Sequence, residues 1–188
     1  MKRPRKQDRP TAAKILDAAT ALFYERGLRP VTLDEVAAKA DVTKRTLYYH
    51  FSNKDELVLA YMRRWHESIK AQLVAKGKGG TKTLLRAFQQ LEQDISRAPF
   101  RGCPIVNAVA EINDRDHPAT AIAIAYKEDR RKWFERLLQE DQVPNPTKLS
   151  KQIMTVWEGG MVRALISGDT KPIRDARDAA AVLITSSS

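Results

Sequence analysis

The chain has 188 residues, 43% of them hydrophobic, with a single cysteine and a net charge of +10. That length holds one compact domain or a small one joined to a larger, and the apolar content suffices for a core. No apolar run reaches the roughly 18 residues of a membrane span, the charged start "MKRPRKQDRP" is not followed by the apolar segment of a secretory signal, and one cysteine excludes a disulfide framework or a cysteine-based zinc site. A cytoplasmic location without membrane contact is therefore expected. More than half of the net charge falls in residues 1–54, where twelve Lys/Arg face six Asp/Glu. Such a concentration favours a polyanionic partner, because neutralising phosphates releases condensed counterions.

Helical periodicity runs through the chain and no stretch alternates apolar and polar residues as a strand would, so an all-α fold is predicted. The first helix spans about Pro10 to Arg26, with Ile15, Ala19, Leu22 and Phe23 on one face and Gly27 ending it. "TLDE" has the spacing of a capping box, Thr32 with Glu35, and opens a second helix to about Ala40 that buries Leu33, Val36 and Ala37. "ADV" is a tight turn, after which Thr43 caps a short third helix ending near Phe51. In "SNKD", Ser52 with Asp55 reads as the cap of a fourth helix running through Leu57, Tyr61, Met62, Trp65, Ile69 and Leu73.

"KGKGG", Lys76 to Gly80, breaks the pattern before a fifth helix from Thr81 to about Ile95. Then come a short helix from Pro104 to Ile112 and a long one from about Pro118 to Gln142. The last two run from Thr147 to Ser167 and, after "GDTKP", to about Ile184. The total is about nine helices.

Three short helices, the second and third joined by a turn of three or four residues, describe a helix-turn-helix unit. At about 100° per residue, Leu47 and Phe51 of the third helix lie about 40° apart and form its buried stripe. Arg45 and Tyr49 lie opposite, with Thr46, Tyr48 and His50 on the flanks and Lys44 in the first turn. A helix written this way suits the DNA major groove. Lys44 and Arg45 can donate to guanine edges, Thr46 can touch a thymine methyl, and Tyr48, Tyr49 and His50 can donate to phosphates. Lys54 opens the fourth helix, where a phosphate would also meet backbone N–H groups. "KRPRKQDR" is either an arm along the DNA or a free tail. The same composition also fits an ordinary amphipathic surface helix.

Residues 14–61, "KILDAATALFYERGLRPVTLDEVAAKADVTKRTLYYHFSNKDELVLAY", resemble the DNA-binding region of TetR-family transcriptional regulators. The resemblance rests on Ala19 and Phe23 before Gly27, on Thr32, on Val36–Ala37, on "TLYYHF" at Thr46–Phe51 and on "NKDEL" at Asn53–Leu57. It adds Thr32 and Thr43 to the expected DNA-facing set. One departure is Asp41, where the family usually carries glycine; a left-handed backbone is expected there, which Asp tolerates. Asp34 is expected to serve the N-terminus of the second helix.

The resemblance implies a helix-turn-helix domain at residues 1–53 and a helical effector-binding and dimerisation domain at 54–188, linked by the fourth helix. "FRGCPIVNAVAEI", Phe100–Ile112, resembles a segment of some TetR-type regulators. A small-molecule effector needs an apolar cavity with a few oriented polar groups. Candidate lining residues are Trp65, Phe88, Cys103, Asn107, Glu111, Tyr126 and Trp133, each of which also suits plain core packing. Cys103 precedes Pro104 at a helix start with Arg101 nearby, a setting that lowers a thiol pKa; it is either a redox sensor or a small buried residue. Ile153, Trp157, Gly160 and Ala164 form one stripe. They suit a four-helix interface between two chains with Ala179–Ile184, unless the glycines relieve crowding within one chain.

No P-loop, dinucleotide-binding glycine turn, H-E-x-x-H or G-x-S-x-G is present. "DRDH", Asp114–His117, reads as turn chemistry, His66 as an ordinary helix residue, and no cofactor or catalytic role is expected. The expected function is a dimeric repressor that binds a pseudo-palindromic double-stranded operator and is released by an effector. A Cys103 redox sensor and a low-specificity architectural protein are the alternatives.

Overall fold

The computed structural model describes residues 8–75, 79–97 and 99–187, and places no strand among them. Its helices are α1 (Asp8–Arg26), α2 (Leu33–Lys39), α3 (Lys44–His50), α4 (Lys54–Ala75), α5 (Gly80–Arg97), α6 (Pro104–Ile112), α7 (Pro118–Glu140), α8 (Pro146–Ser167) and α9 (Lys171–Thr185). Most of the expected basic arm, and part of the Lys76–Gly80 break, lie outside the described residues. No helix of the described residues is long and apolar enough to cross a membrane.

Packing divides the chain into two compact units, Met1–His66 with Pro104–Ala123 and Glu67–Cys103 with Ile124–Ser188. The expected division at residue 53 does not coincide with this one. The first turns of α4 pack with α1, where Tyr61 meets Phe23 edge-on at 5.6 Å and Trp65 lies 6.1 Å from Tyr24.

In the first unit, α1 buries Ile15, Ala19 and Phe23 and stops at Gly27, whose φ of 88° suits a residue without Cβ. The capping box forms as spelled: Thr32 Oγ1 accepts from Glu35 N, and the Glu35 carboxylate accepts from Thr32 N at 2.8 Å. Val36 and Ala37 are buried, whereas Leu33 is half-buried. Asp41 takes a φ of 52°, and the turn closes through Asp41 N to Ala38 O and Val42 N to Ala37 O.

Thr43 caps α3 by accepting from Thr46 N. The cap of α4 lies one residue later than expected. Asn53 Oδ1 accepts from Glu56 N at 2.8 Å, and Glu56 in return accepts from Ser52 N at 2.7 Å. Both Ser52 and Asn53 are good caps; the longer reach of Glu56 favours the Asn53 pairing over Ser52 with Asp55.

In the second unit, α8 and α9 pack against each other and α5 packs on α9. Carboxylates sixty residues away cap the N-terminus of α5: Glu140 accepts from Gly79 N and Gly80 N, and Asp141 from Thr81 N and Oγ1. They meet the positive end of the helix dipole. The core is aromatic. Phe88 and Phe134 stack at 6.4 Å, and Trp157 meets them edge-on at 4.8 and 5.7 Å.

Candidate nucleic-acid interface

Only Leu47 of α3 is fully buried, at 0% exposure, and Phe51 at its C-cap is buried beside it. Truncating Leu47 would cost about 2–5 kcal/mol, so one side chain anchors the helix. Lys44, Arg45, Tyr48 and Tyr49 are exposed, Tyr49 to 70%, while Thr46 and His50 are half-buried. Tyr49 meets the His50 ring edge-on at 5.1 Å. Two tyrosines are thus exposed on two turns of helix. The first turn carries two cations and no acid, the wrong sign for a helix N-terminus by tenths of a kcal/mol. Local stability has been given up there.

Lys44 and the three threonines of this surface have partners within the chain. Lys44 Nζ lies 2.8 Å from Asp34 Oδ1 across the turn, and that hydrogen bond raises the Lys44 pKa above its ordinary value. Asp34, expected only to serve α2, is thus also an internal counter-ion. The Thr43 and Thr46 hydroxyls bond each other at 2.8 Å. The Thr32 hydroxyl serves the capping box, where backbone Thr32 and then Arg26 hold the Glu35 carboxyl at a pKa of about 2.

Lys54, expected to face a phosphate, donates to Arg29 O at 3.2 Å. Partial burial lowers its pKa, against the pull of Glu111 and Glu35. The same corner holds Glu111, expected to line an effector pocket. Its carboxylate accepts from Leu28 N at 2.7 Å and Arg29 N at 2.9 Å, while the Arg29 guanidinium donates to Glu111 O at 2.8 and 3.1 Å. A Cβ on Gly27 would stand 2.8 Å from Glu111 Oε1. Glu111 is therefore a clamp on the α1–α2 turn. Sequence reasoning had no signal for it, because its partners are backbone groups more than eighty residues away.

The other proposed pocket residues are divided between the units. Trp65 and the half-buried Asn107 belong to the first. Phe88, Cys103, Tyr126 and Trp133 are buried in the second, and Trp133 borders an open groove of about 340 Å³ together with Leu73, Val74, Lys132 and Arg136. Burial, and then the nearby Cys103, push the Tyr126 hydroxyl up to about 12.

Ile153, Trp157, Gly160 and Ala164, expected at a dimer interface, are all buried within the chain. A Cβ on Gly160 would lie 2.7 Å from the Ala176 Cβ of α9, so this glycine permits close packing inside one subunit. The exposed apolar residues of these helices are Val162, Leu165, Ile166 and Val182.

Comparison with known proteins agrees with this architecture. Residues 15–61 match the family model for bacterial regulatory proteins of the tetR family, and residues 80–179 match the C-terminal domain of LmrA/YxaF-like transcriptional regulators. The transcriptional regulator TtgR of Pseudomonas putida is 40% identical over 68 residues, covering 36% of this chain and 32% of TtgR. YvkB of Bacillus subtilis, an uncharacterised regulator, is 36% identical over 100 residues, covering 50% of this chain and 52% of its own. The aligned region thus spans between a third and a half of these curated relatives. The crystal structure of the TetR-family regulator SCO4454 from Streptomyces coelicolor superposes with a TM-score of 0.85 at 28% identity, covering 95% of this chain and 96% of that one. With both family models matched and a helix-turn-helix in place at its N-terminal end, the chain belongs to the TetR family of DNA-binding transcriptional regulators.

Proposed function

We propose that the chain is a cytoplasmic, dimeric repressor that reads a pseudo-palindromic operator through α3 and is released by a small-molecule effector. The observation that supports this best is the make-up of α3, one buried leucine beneath two exposed cations and two exposed tyrosines. Arg45 is the base reader, because its forked donors match guanine O6 and N7. Tyr48, Tyr49, His50 and the Thr43–Thr46 hydroxyl pair hold phosphates, and Lys44 joins them once it leaves Asp34. Thr32 positions α2 through its cap. Two copies are needed to span a palindrome, and the exposed Val162, Ile166 and Val182 of α8 and α9 support a second chain docking there.

Selection of random duplexes with the full chain, followed by gel shift, tests the reading. A palindromic consensus is expected. Arg45→Ala should weaken binding to it by about 1–3 kcal/mol and relax one position of the consensus. Equal binding of all duplexes at physiological salt would instead describe an architectural protein.

A further inference from the structure

Arg130 is the one charged residue buried among the described residues of this protein, at 7% exposure. Its neighbour Arg131 shows what a satisfied guanidinium looks like here. Arg131 donates to Glu128 Oε1 and Oε2 at 2.7 and 2.8 Å, to Glu135 Oε2 at 2.8 Å and to Ser150 Oγ at 3.0 Å. Arg130 is more deeply buried, yet it pairs with no carboxylate among the described residues. Its guanidinium carbon lies 4.6 Å from the centre of the Trp157 ring, and its other partner is the Tyr126 hydroxyl. A contact with an aromatic face recovers only a small part of what removing a cation from water costs. Neither a ring nor a neutral phenol supplies a counter-charge.

The surroundings define the complement that is missing. Trp157, stacked beneath Arg130, also packs against Phe88 and Phe134, so the guanidinium borders an apolar, aromatic core. Tyr126 hydrogen-bonds both Arg130 and the Cys103 thiol. A forked cation, a hydroxyl and aromatic walls together suit a planar oxyanion carried on an apolar body. A phosphate or a bare inorganic ion would fill the charge but leave the aromatic surface unused.

We propose that Arg130, with Tyr126 beside it, is the anchor of the effector site and that the effector is a small organic carboxylate with an apolar body. The assignment rests on the reading of the chain as effector-responsive and names the chemical class of that effector. The uncompensated cation is the energetic reason for a response. Among the described residues the buried charge has no carboxylate counter-ion, and a bound carboxylate supplies one only in the conformation that admits it, which gives the differential affinity that any ligand needs to shift two states.

The test uses the full chain and no DNA. Melting temperatures are measured with acetate, decanoate, benzoate and 1-naphthoate, each against its uncharged amide at matched ionic strength. At least one carboxylate with an apolar body should raise the melting temperature by about 2 °C or more while its amide and acetate do not. The rise should vanish in Arg130→Met. Arg130→Met without any additive should melt no lower than the parent, because an apolar side chain replaces an uncompensated charge. Equal stabilisation of parent and variant, no response to any of the carboxylates, or an Arg130→Met chain that folds but melts clearly below the parent would each overturn the proposal. Should that variant fail to fold, Arg130→Lys decides: it keeps the charge, loses the fork, and should respond more weakly than the parent, an undiminished response overturning the proposal. Because no duplex enters the assay, failure of DNA binding and failure of this site are read separately.

Discussion

Lys44 and Asp34 face each other across the turn of the helix-turn-helix, and any phosphate that Lys44 is to hold must compete with that carboxylate. Asp34→Asn should therefore strengthen binding to duplexes at low salt. It should also steepen the plot of log affinity against log salt by about one unit, since one more cation is left to displace counterions. An unchanged slope would show that Lys44 never reaches DNA. At Glu35 the corresponding experiment is a titration. Its folded pKa of about 2 lies below the ordinary 4.5, so its contribution to stability is complete above pH 4.5 and is lost as pH falls toward 2. The melting-temperature gap between the parent and Glu35→Gln should close over that interval and stay constant from pH 5 to 7. Caps were the most legible features at this scale, because Thr32 and Thr43 act through partners three residues away. The α4 cap was misplaced by one position because Ser52 and Asn53 have similar credentials and only geometry chooses between Asp55 and Glu56.

Among elements, helix positions followed from periodicity and breakers, and the bounds of α6 were read to the residue. The outward face of α8 was not. Ile153, Trp157, Gly160 and Ala164 make the stronger stripe in sequence, and a strong stripe says only that something covers it. Here other helices of the same chain do, α9 at Gly160 and Phe88 and Phe134 at Trp157. The exposed face is harder to see because Val162 and Ile166 are interleaved with polar residues such as Arg163. The two stripes predict opposite outcomes. Ile166→Glu, at a side chain 80% exposed, should convert the chain to a monomer in sedimentation with its helical content intact. Trp157→Ala should instead cost about 3–5 kcal/mol of stability. A dimer that survives Ile166→Glu would move the interface elsewhere.

For the molecule as a whole, the sequence indicated two functional parts but not the way the chain weaves between them. The unit that carries α3 also contains α6 and the start of α7. Glu111 marks this directly, since its carboxylate takes up two amides that would otherwise lack partners in the α1–α2 turn. Glu111→Ala should speed hydrogen exchange at the Leu28 and Arg29 amides while leaving protection in α8 unchanged. Exchange that stays slow at those two amides would show that the turn holds itself.

That weave fixes an order of assembly during synthesis. Glu111 is added 82 residues after Arg29, a delay of roughly 4–16 s at bacterial to eukaryotic ribosome speeds. From the addition of His50 onward, the emerging head has its recognition helix but lacks the carboxylate that closes its first corner. The α1–α2 turn of a nascent chain thus gains its Glu111 clamp only after residue 111 of the 188 has been added.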